Sequence, residues 1–87
     1  MAALRIPADM NILECCEDIA KNRYQIAKTL QLEYGRTCKH ITKLLGMGLL
    51  FVSREQKGRG PTRKVEYYLV TSQGAAILRG YREASRK

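Results

Sequence analysis

The sequence has few of the side chains that catalytic sites use. It contains one histidine, one phenylalanine and no tryptophan in 87 residues. No Ser/His/Asp set stands at a spacing that would favour nucleophilic catalysis, and no glycine-rich phosphate loop follows a strand-like segment. We therefore expect a protein that is not an enzyme and that needs no cofactor.

Cysteines and long apolar runs are equally scarce. The three cysteines are odd in number, and Cys15 and Cys16 are adjacent, which is poor geometry for a mutual disulfide. No apolar run approaches the roughly 20 residues that span a bilayer, and residues 1–6 lack the apolar length of a signal peptide. These patterns predict a cytoplasmic protein with reduced thiols and no membrane partner.

Acidic residues are half as numerous as basic ones. Eight Asp and Glu stand against 16 Lys and Arg, which gives a net charge of +8 at pH 7 and a pI near 9.8. The charge is also unevenly spread, since residues 54–64 carry five cations and only one acid, whereas residues 9–18 carry four acids and no cation. A basic cluster of this kind is typical of proteins that bind a polyanion.

Apolar side chains recur at helical spacing in the first third of the chain. Residues 7–21 form the first predicted helix, and Asn22 caps the second, residues 23–30. The side chains expected to face the core from these two helices are Ile12, Leu13, Cys16, Ile19, Ala20, Ile26, Ala27 and Leu30.

Residues 33–45 form the third predicted helix, which separates a buried stripe from a basic face. At about 100° per residue, Arg36, Lys39 and Lys43 project from the side opposite the core, and His40 lies between the two faces. The predicted buried stripe, with Cys38 at its edge, consists of Tyr34, Thr37, Ile41, Leu44 and Leu45.

A hairpin and a last helix follow. Residues 49–53 and 65–70 alternate as strands, residues 53–64 form a basic tip rich in glycine and proline, and Thr71 or Ser72 opens a helix that reaches residue 87. Together these elements predict an α+β, mostly helical fold, the winged helix-turn-helix, with three helices, a two-stranded β-hairpin wing and a C-terminal helix. One such domain accounts for residues 1–87.

Several short motifs resemble those of the small archaeal winged-helix DNA-binding proteins, a family of predicted transcription regulators and chromatin-associated proteins. They are Leu32-Glu33-Tyr34, Ile41 with Leu44, Gly48-Leu49-Leu50, and Tyr68-Leu69-Val70-Thr71-Ser72-Gln73-Gly74, which together cover most of residues 12–82. The resemblance implies DNA binding and, as is common in the family, dimerisation through the C-terminal helix.

From these patterns we expect a DNA-binding transcription regulator located in the cytoplasm and associated with the nucleoid. Residues 33–45 would enter the major groove of double-stranded DNA, and the wing, residues 53–64, would contact the backbone or the minor groove. The residues expected to contact DNA are Arg36, Lys39, His40, Lys43, Arg54, Lys57, Arg59, Arg63 and Lys64.

Other functions stay open at this stage. A nonspecific nucleoid or chromatin protein would share nearly all of these residues, and a thiol- or metal-responsive sensor, a protein-binding winged helix and an RNA-binding protein are further alternatives. Cys38 and His40 lie two apart on a helix and so point in nearly opposite directions, which disfavours a shared metal ion. We predict no metal site.

Apolar residues at both ends of the chain predict a homodimer. The last helix, residues 72–87, has an apolar stripe that extends beyond what one small domain can cover, and apolar residues also precede the first helix. The residues expected in the dimer interface are Leu4, Ile6, Ile77, Leu78, Tyr81 and Ala84.

Overall fold

The structure is a computed structural model that describes residues 8–58, 60 and 64–85. In these residues the elements are, in order, α1 (Ala8–Cys15), α2 (Arg23–Leu30), α3 (Tyr34–Gly46), β1 (Leu50–Lys57), β2 (Lys64–Val70) and α4 (Ser72–Ser85). β1 and β2 pair as an antiparallel hairpin, the wing, between α3 and α4. This order confirms the predicted winged helix-turn-helix fold.

Helices α1, α2 and α3 each carry apolar residues at helical spacing, and these residues pack into one shared core. The buried cluster also takes side chains from β1, β2 and α4, so the wing and the last helix are anchored to the helical body. Its members are Met10, Ile12, Leu13, Cys16, Ile26, Ile41, Leu44, Leu49, Leu50, Tyr68 and Leu78.

α2 has the predicted bounds because both of its ends are fixed by local signals. The Asn22 side chain accepts a hydrogen bond from the Gln25 backbone N–H at 2.7 Å, and the Gln25 side chain accepts one from the Asn22 N–H at 3.0 Å. This reciprocal capping box satisfies two otherwise unpaired donors. Gln31 then takes a left-handed conformation with φ of 55°, which ends the helix and starts the tight turn to α3.

α1 is shorter than predicted, because it ends at Cys15 and not at residue 21. The cause lies about 50 residues further on, in β2. The Val70 N–H donates to the Cys16 carbonyl at 3.1 Å, and Lys21 and Tyr68 exchange backbone hydrogen bonds of 3.2 and 2.9 Å. The prediction that Ile19 faces the core is therefore wrong, since this side chain is 69% exposed.

α3 buries most of its predicted stripe but not the first residue. Thr37, Ile41 and Leu44 are fully buried, and Leu45 packs against the core. Tyr34 is 53% exposed, which corrects the prediction that it is buried. Because helical side chains lean towards the N-terminus, the first residue of the helix extends past the interface that covers the later turns.

The wing strands are longer than the sequence pattern indicates. Pairing runs from Leu50↔Val70 to Lys57↔Lys64, with a register shift between Val52 and Arg54. Part of the predicted basic tip, residues 53–57, is therefore strand. Cross-strand hydrogen bonds and an exposed, polar outer face suit a wing that extends into solvent.

Thr71 caps α4 as predicted, and it hydrogen-bonds the start of that helix to the segment that follows α3. Its hydroxyl donates to the Gly48 carbonyl at 2.6 Å and accepts from the Gly74 N–H at 3.0 Å. Gly74 itself lies against Leu49, where a Cβ would stand 2.2 Å from the backbone oxygen. The start of α4 is thus held tightly on the segment between α3 and β1.

Candidate nucleic-acid interface

The outer face of α3, defined here as Gly35, Arg36, Lys39 and Thr42, lies opposite the buried stripe and is exposed to solvent. Arg36 and Lys39 line a groove of about 600 Å³, together with residues of α1 and of the turn between α2 and α3. Among the described residues, neither cation has an ion-pair partner. These side chains can therefore reach an anionic ligand.

The other basic residues of α3 turn inward to a buried acid on α1. Asp9 is fully buried, and its two carboxylate oxygens lie 2.9 Å from His40 Nδ1 and 2.6 Å from Lys43 Nζ. Only 13% of the His40 side chain and 17% of the Lys43 side chain are exposed. A buried carboxylate requires paired and hydrogen-bonding neighbours, so this cluster fixes α1 against α3.

This geometry concerns two of the residues that were expected to contact DNA. His40 and Lys43 each direct one nitrogen at Asp9 inside the domain, and their contact with DNA stays a prediction. No local pattern in the sequence indicated this cluster, because its partners lie 31 and 34 residues apart along the chain. The exposed positive charge of α3 consequently comes from Arg36 and Lys39.

The wing presents its cations on the exposed strands. Arg54 stacks on the Tyr67 ring, with Cζ 4.2 Å from the ring centroid. Lys57 is exposed, and 75% of the Lys64 side chain is exposed, with Nζ 3.8 Å from Glu55 Oε2. Such an exposed pair contributes little stability. The predicted DNA contacts Arg59 and Arg63 lie outside the described residues.

Arg23, to which sequence reasoning assigned no role, joins α2, α3 and the wing. Its Nε donates to the Tyr68 hydroxyl at 2.7 Å, and its Nη1 donates to the Cys38 carbonyl at 3.5 Å. The Tyr68 hydroxyl in turn donates to Glu66 Oε1 at 3.1 Å. One guanidinium therefore helps to set the position of the wing relative to α3.

Burial and hydrogen bonding shift the pKa values of Arg23 and Tyr68. Partial burial lowers the pKa of Arg23, but its hydrogen bonds to Cys38 and Tyr68 outweigh that effect and leave the pKa above its usual value. Burial raises the pKa of the Tyr68 hydroxyl. Arg23 is thus charged and donates to the Tyr68 oxygen, and Tyr68 is neutral, so its hydroxyl can donate to Glu66.

Two exposed tyrosines lie beside the same contact. Tyr24 is 66% exposed and Tyr34 is 53% exposed, and both line a groove of about 210 Å³ that also reaches Lys64 on β2. Sequence reasoning left Tyr24 without a role and placed Tyr34 in the core. Their positions in the sequence could have indicated that these side chains are exposed, because each tyrosine lies within the first turn of its helix, where packing against the core is incomplete.

The residues predicted for a dimer interface divide into exposed and buried ones. Ile77 is 37% exposed, and Ala84 is exposed. Tyr81 is partly buried against the core, whereas Leu78 is fully buried inside its own domain and has no surface to offer a second subunit. Leu4 and Ile6 lie outside the described residues.

Acidic side chains of α1 and of the segment after it are bound to α4. Arg82 donates to both carboxylate oxygens of Glu17, at 2.8 and 3.0 Å, and to Glu14 at 3.3 Å. The hydrogen bond from Arg82 lowers the pKa of Glu17. These acids therefore lie against α4 and not beside the outer face of α3.

The cysteines carry little chemistry. All three are free thiols, and burial raises the pKa of Cys15 and raises that of Cys16 to about 12. Within the part of the chain that the structure describes, no three His, Cys, Asp or Glu side chains are grouped so as to hold a metal ion. No helix in that same part is long and apolar enough to cross a membrane.

Comparison with known proteins gives a family and a set of similar folds. The family described as winged helix-turn-helix matches residues 5–87. No curated protein sequence matches the chain. A PadR family transcription regulator from hypervirulent Clostridium difficile R20291 has a TM-score of 0.78 at 19% identity, over 91% of this chain and 86% of that chain.

Two further structures are similar over about half of their own length. Bacillus subtilis PadR in complex with operator DNA has a TM-score of 0.78 at 15% identity, over 87% of this chain and 46% of that chain. The zinc-responsive MarR family member ZitR from Lactococcus lactis has a TM-score of 0.70 at 14% identity, over 95% of this chain and 55% of that chain.

At these identities the similarity to PadR and ZitR concerns the fold, and the resemblance to archaeal proteins stays a prediction. The family match is of a different kind, since it spans nearly the whole chain. It agrees with the observed order of helix, turn, helix, hairpin and final helix. The chain belongs to the winged helix-turn-helix family.

Proposed function

We propose that this protein is a transcription regulator that binds double-stranded DNA, with the outer face of α3 in the major groove and the wing against the backbone or the minor groove. The observation that carries the proposal is the distribution of charge on α3. Lys43 and His40 are bound to Asp9, whereas Arg36 and Lys39 are exposed on one face. That face is the one that a helix-turn-helix presents to base edges.

The two exposed cations of α3 have different chemistry. Arg36 carries a planar guanidinium that can pair with the O6 and N7 atoms of guanine, so it is the residue of α3 best suited to read a base. Lys39 carries a compact ammonium that suits a phosphate. Arg54, Lys57 and Lys64 add cations along the wing, and Arg59 and Arg63 belong to the same proposed surface.

The comparison structures support this use of the fold. Bacillus subtilis PadR has a similar fold and was determined with operator DNA. A nonspecific nucleoid protein would use the same surface, and the distinction between the two functions is whether the bases are read. The thiol- or metal-sensor alternative gains no support from the described residues, which hold no ligand cluster and have a buried, protonated Cys16 thiol.

The proposal is tested by duplex binding across salt concentrations, on a preferred site selected from random DNA and on a scrambled duplex. Arg36→Ala should cost about 1–3 kcal/mol on the preferred site and much less on the scrambled one. Lys39→Ala should weaken binding to both duplexes and reduce the slope of log K against log salt by about 0.9.

Arg79→Ala is the matched control, because Arg79 is an exposed cation on α4 and its removal changes the net charge by the same amount. It should leave affinity and slope close to the wild type. A wild-type protein that binds no duplex, or an Arg36→Ala, Lys39→Ala variant that binds as the wild type does, would contradict the proposal. Binding without any preference between the two duplexes would identify a nonspecific nucleoid protein instead.

A further inference from the structure

We propose that the groove between the N-terminal ends of α2 and α3 and the start of β2 binds the phosphodiester backbone of duplex DNA, with the hydroxyls of Tyr24 and Tyr34 and the ammonium of Lys64 as hydrogen-bond donors. We call it the tyrosine groove. This inference rests on the proposed function and adds a contact surface that lies between its two DNA-binding elements. The residues that line the groove are Asn22, Arg23, Tyr24, Tyr34, Lys64, Val65, Glu66 and Tyr68.

Three chain segments converge at the tyrosine groove. Tyr24 lies in the first turn of α2, Tyr34 is the first residue of α3, and Lys64 is the first residue of β2. A duplex that holds α3 in its major groove and touches the wing has a sugar–phosphate strand between these two contacts. The groove would face this sugar–phosphate strand, because one of its walls is the first residue of α3 and another is the start of β2 in the wing.

The two tyrosines are unusual in their exposure. Tyr24 and Tyr34 are 66% and 53% exposed, whereas Tyr68 in the same groove is fully buried. A tyrosine combines an apolar ring with a hydroxyl donor, and for this reason it is enriched where one side of the ring packs and the other meets a partner. Tyrosine hydroxyls are also frequent donors to phosphate oxygens.

The charge of the groove suits an anion. Among the lining residues that the structure describes, Arg23 and Lys64 are the cations and Glu66 is the one carboxylate. Glu66 accepts a hydrogen bond from the buried Tyr68 hydroxyl, and the Arg23 donors are directed at Tyr68 and Cys38. Lys64, with 75% of its side chain exposed, is therefore the cation that can move to a phosphate.

Neutral and charged donors leave different signatures in salt titrations. A lysine that neutralises a phosphate releases a counterion, so its loss lowers affinity and flattens the slope of log K against log salt by about 0.9. A tyrosine hydroxyl releases none. Its loss should lower affinity equally at every salt concentration and leave the slope unchanged.

The experiment compares Tyr24→Phe, Tyr34→Phe and the double variant with Lys64→Gln on preferred and scrambled duplexes. Phenylalanine keeps the ring and removes only the hydroxyl. Hydrogen bonds to charged groups are stronger than those between neutral groups, so the double variant should bind at least about tenfold more weakly on both duplexes, with an unchanged slope. Lys64→Gln should flatten the slope.

Thr29→Val is the matched control, since it removes an exposed hydroxyl from α2 outside the groove. Wild-type affinity in the double Phe variant would overturn the inference and leave the proposed function intact. A second contrary result would be that the Phe variants keep the wild-type affinity, that Tyr24→Ala and Tyr34→Ala lose it, and that the wild type binds single-stranded DNA more tightly than duplex DNA. That result would indicate stacking of bases on the tyrosine rings and would also overturn the inference. A wild-type protein that binds no duplex would overturn the proposed function together with this inference.

Discussion

At the scale of single residues, a buried carboxylate determines which cations of α3 remain exposed to solvent. Asp9 is fully buried and holds Lys43 Nζ at 2.6 Å and His40 Nδ1 at 2.9 Å. The chain therefore uses two basic side chains of α3 to join helices, and it leaves Arg36 and Lys39 for the surface.

Asp9→Asn tests this anchoring role. It removes the charge that balances Lys43 while keeping the size of the side chain, so it should destabilise the fold by roughly 3 kcal/mol. Urea unfolding measures the change. Asp18→Asn is the control, because Asp18 is exposed and surface substitutions usually change stability by less than about 0.5 kcal/mol. Equal stabilities of the two variants would contradict the anchoring role.

A second prediction at the residue scale concerns how the contribution of Cys16 to stability depends on pH. Burial first, and then the neighbouring Cys15, raise the pKa of its thiol from 9.0 to about 12. The unfolded chain releases this proton near pH 9 while the folded chain keeps it. The contribution of Cys16 to stability is therefore complete below pH 9 and is lost as the pH rises towards 12, by about 1.4 kcal/mol per pH unit.

Urea unfolding of reduced wild type and Cys16→Ala at about pH 8 and about pH 10.5 measures this dependence. The wild type should lose more stability between the two conditions than the variant, because the variant lacks the buried Cys16 thiol. The same pH dependence in both proteins would show that the Cys16 thiol is not protected by burial.

At the scale of elements, the contact between α4 and the segment before β1 depends on one glycine. A Cβ at Gly74 would stand 2.2 Å from the Leu49 backbone oxygen, whereas a Cβ at Gly80 on the same helix would meet nothing within 4 Å. These two positions therefore provide a matched pair of Gly→Ala substitutions in one helix.

The two substitutions should change stability in opposite directions. Gly74→Ala forces the helix away from Leu49 and should cost about 2–3 kcal/mol. Gly80→Ala should increase stability by about 0.5–1 kcal/mol, because alanine is the better helix former and the site is open. Thermal unfolding of both variants checks the signs. A Gly74→Ala protein as stable as the wild type would contradict the close packing of α4.

At the scale of the whole molecule, we propose a homodimer formed through α4. Ile77 and Ala84 are exposed and Tyr81 is partly buried, and at about 100° per residue the three lie on one side of the helix. A dimer would place two copies of α3 on one duplex, about one helical turn apart if it follows other helix-turn-helix dimers.

Sedimentation equilibrium of the wild type and of Ile77→Glu tests this assembly. We expect a dimer at tens of micromolar for the wild type and a monomer for the variant, which should stay folded because Ile77 is exposed. Arg79→Gln lowers the net charge by the same amount on the opposite side of α4, about 200° from Ile77, and should remain dimeric. A wild-type protein that is monomeric at these concentrations would contradict the dimer.

The sequence by itself determined the elements whose signals are local. Asn22 and Gln25 stand three residues apart and fix the start of α2, and the apolar spacing of residues 37–44 sets the buried side of α3. The basic cluster of residues 54–64 marked the wing as a candidate DNA contact. Capping, periodicity and charge density act between near neighbours in the chain, so the sequence shows them directly.

Only the tertiary structure decided where α1 ends and which cations stay exposed. α1 ends because β2 takes the backbone groups of Cys16 and Lys21, and Lys43 turns inward because Asp9 is buried beneath it. The tyrosine groove likewise exists only where α2, α3 and β2 meet. Each of these features depends on groups that are distant in the chain and adjacent in the fold, and hydrogen bonding and desolvation act between neighbours in space.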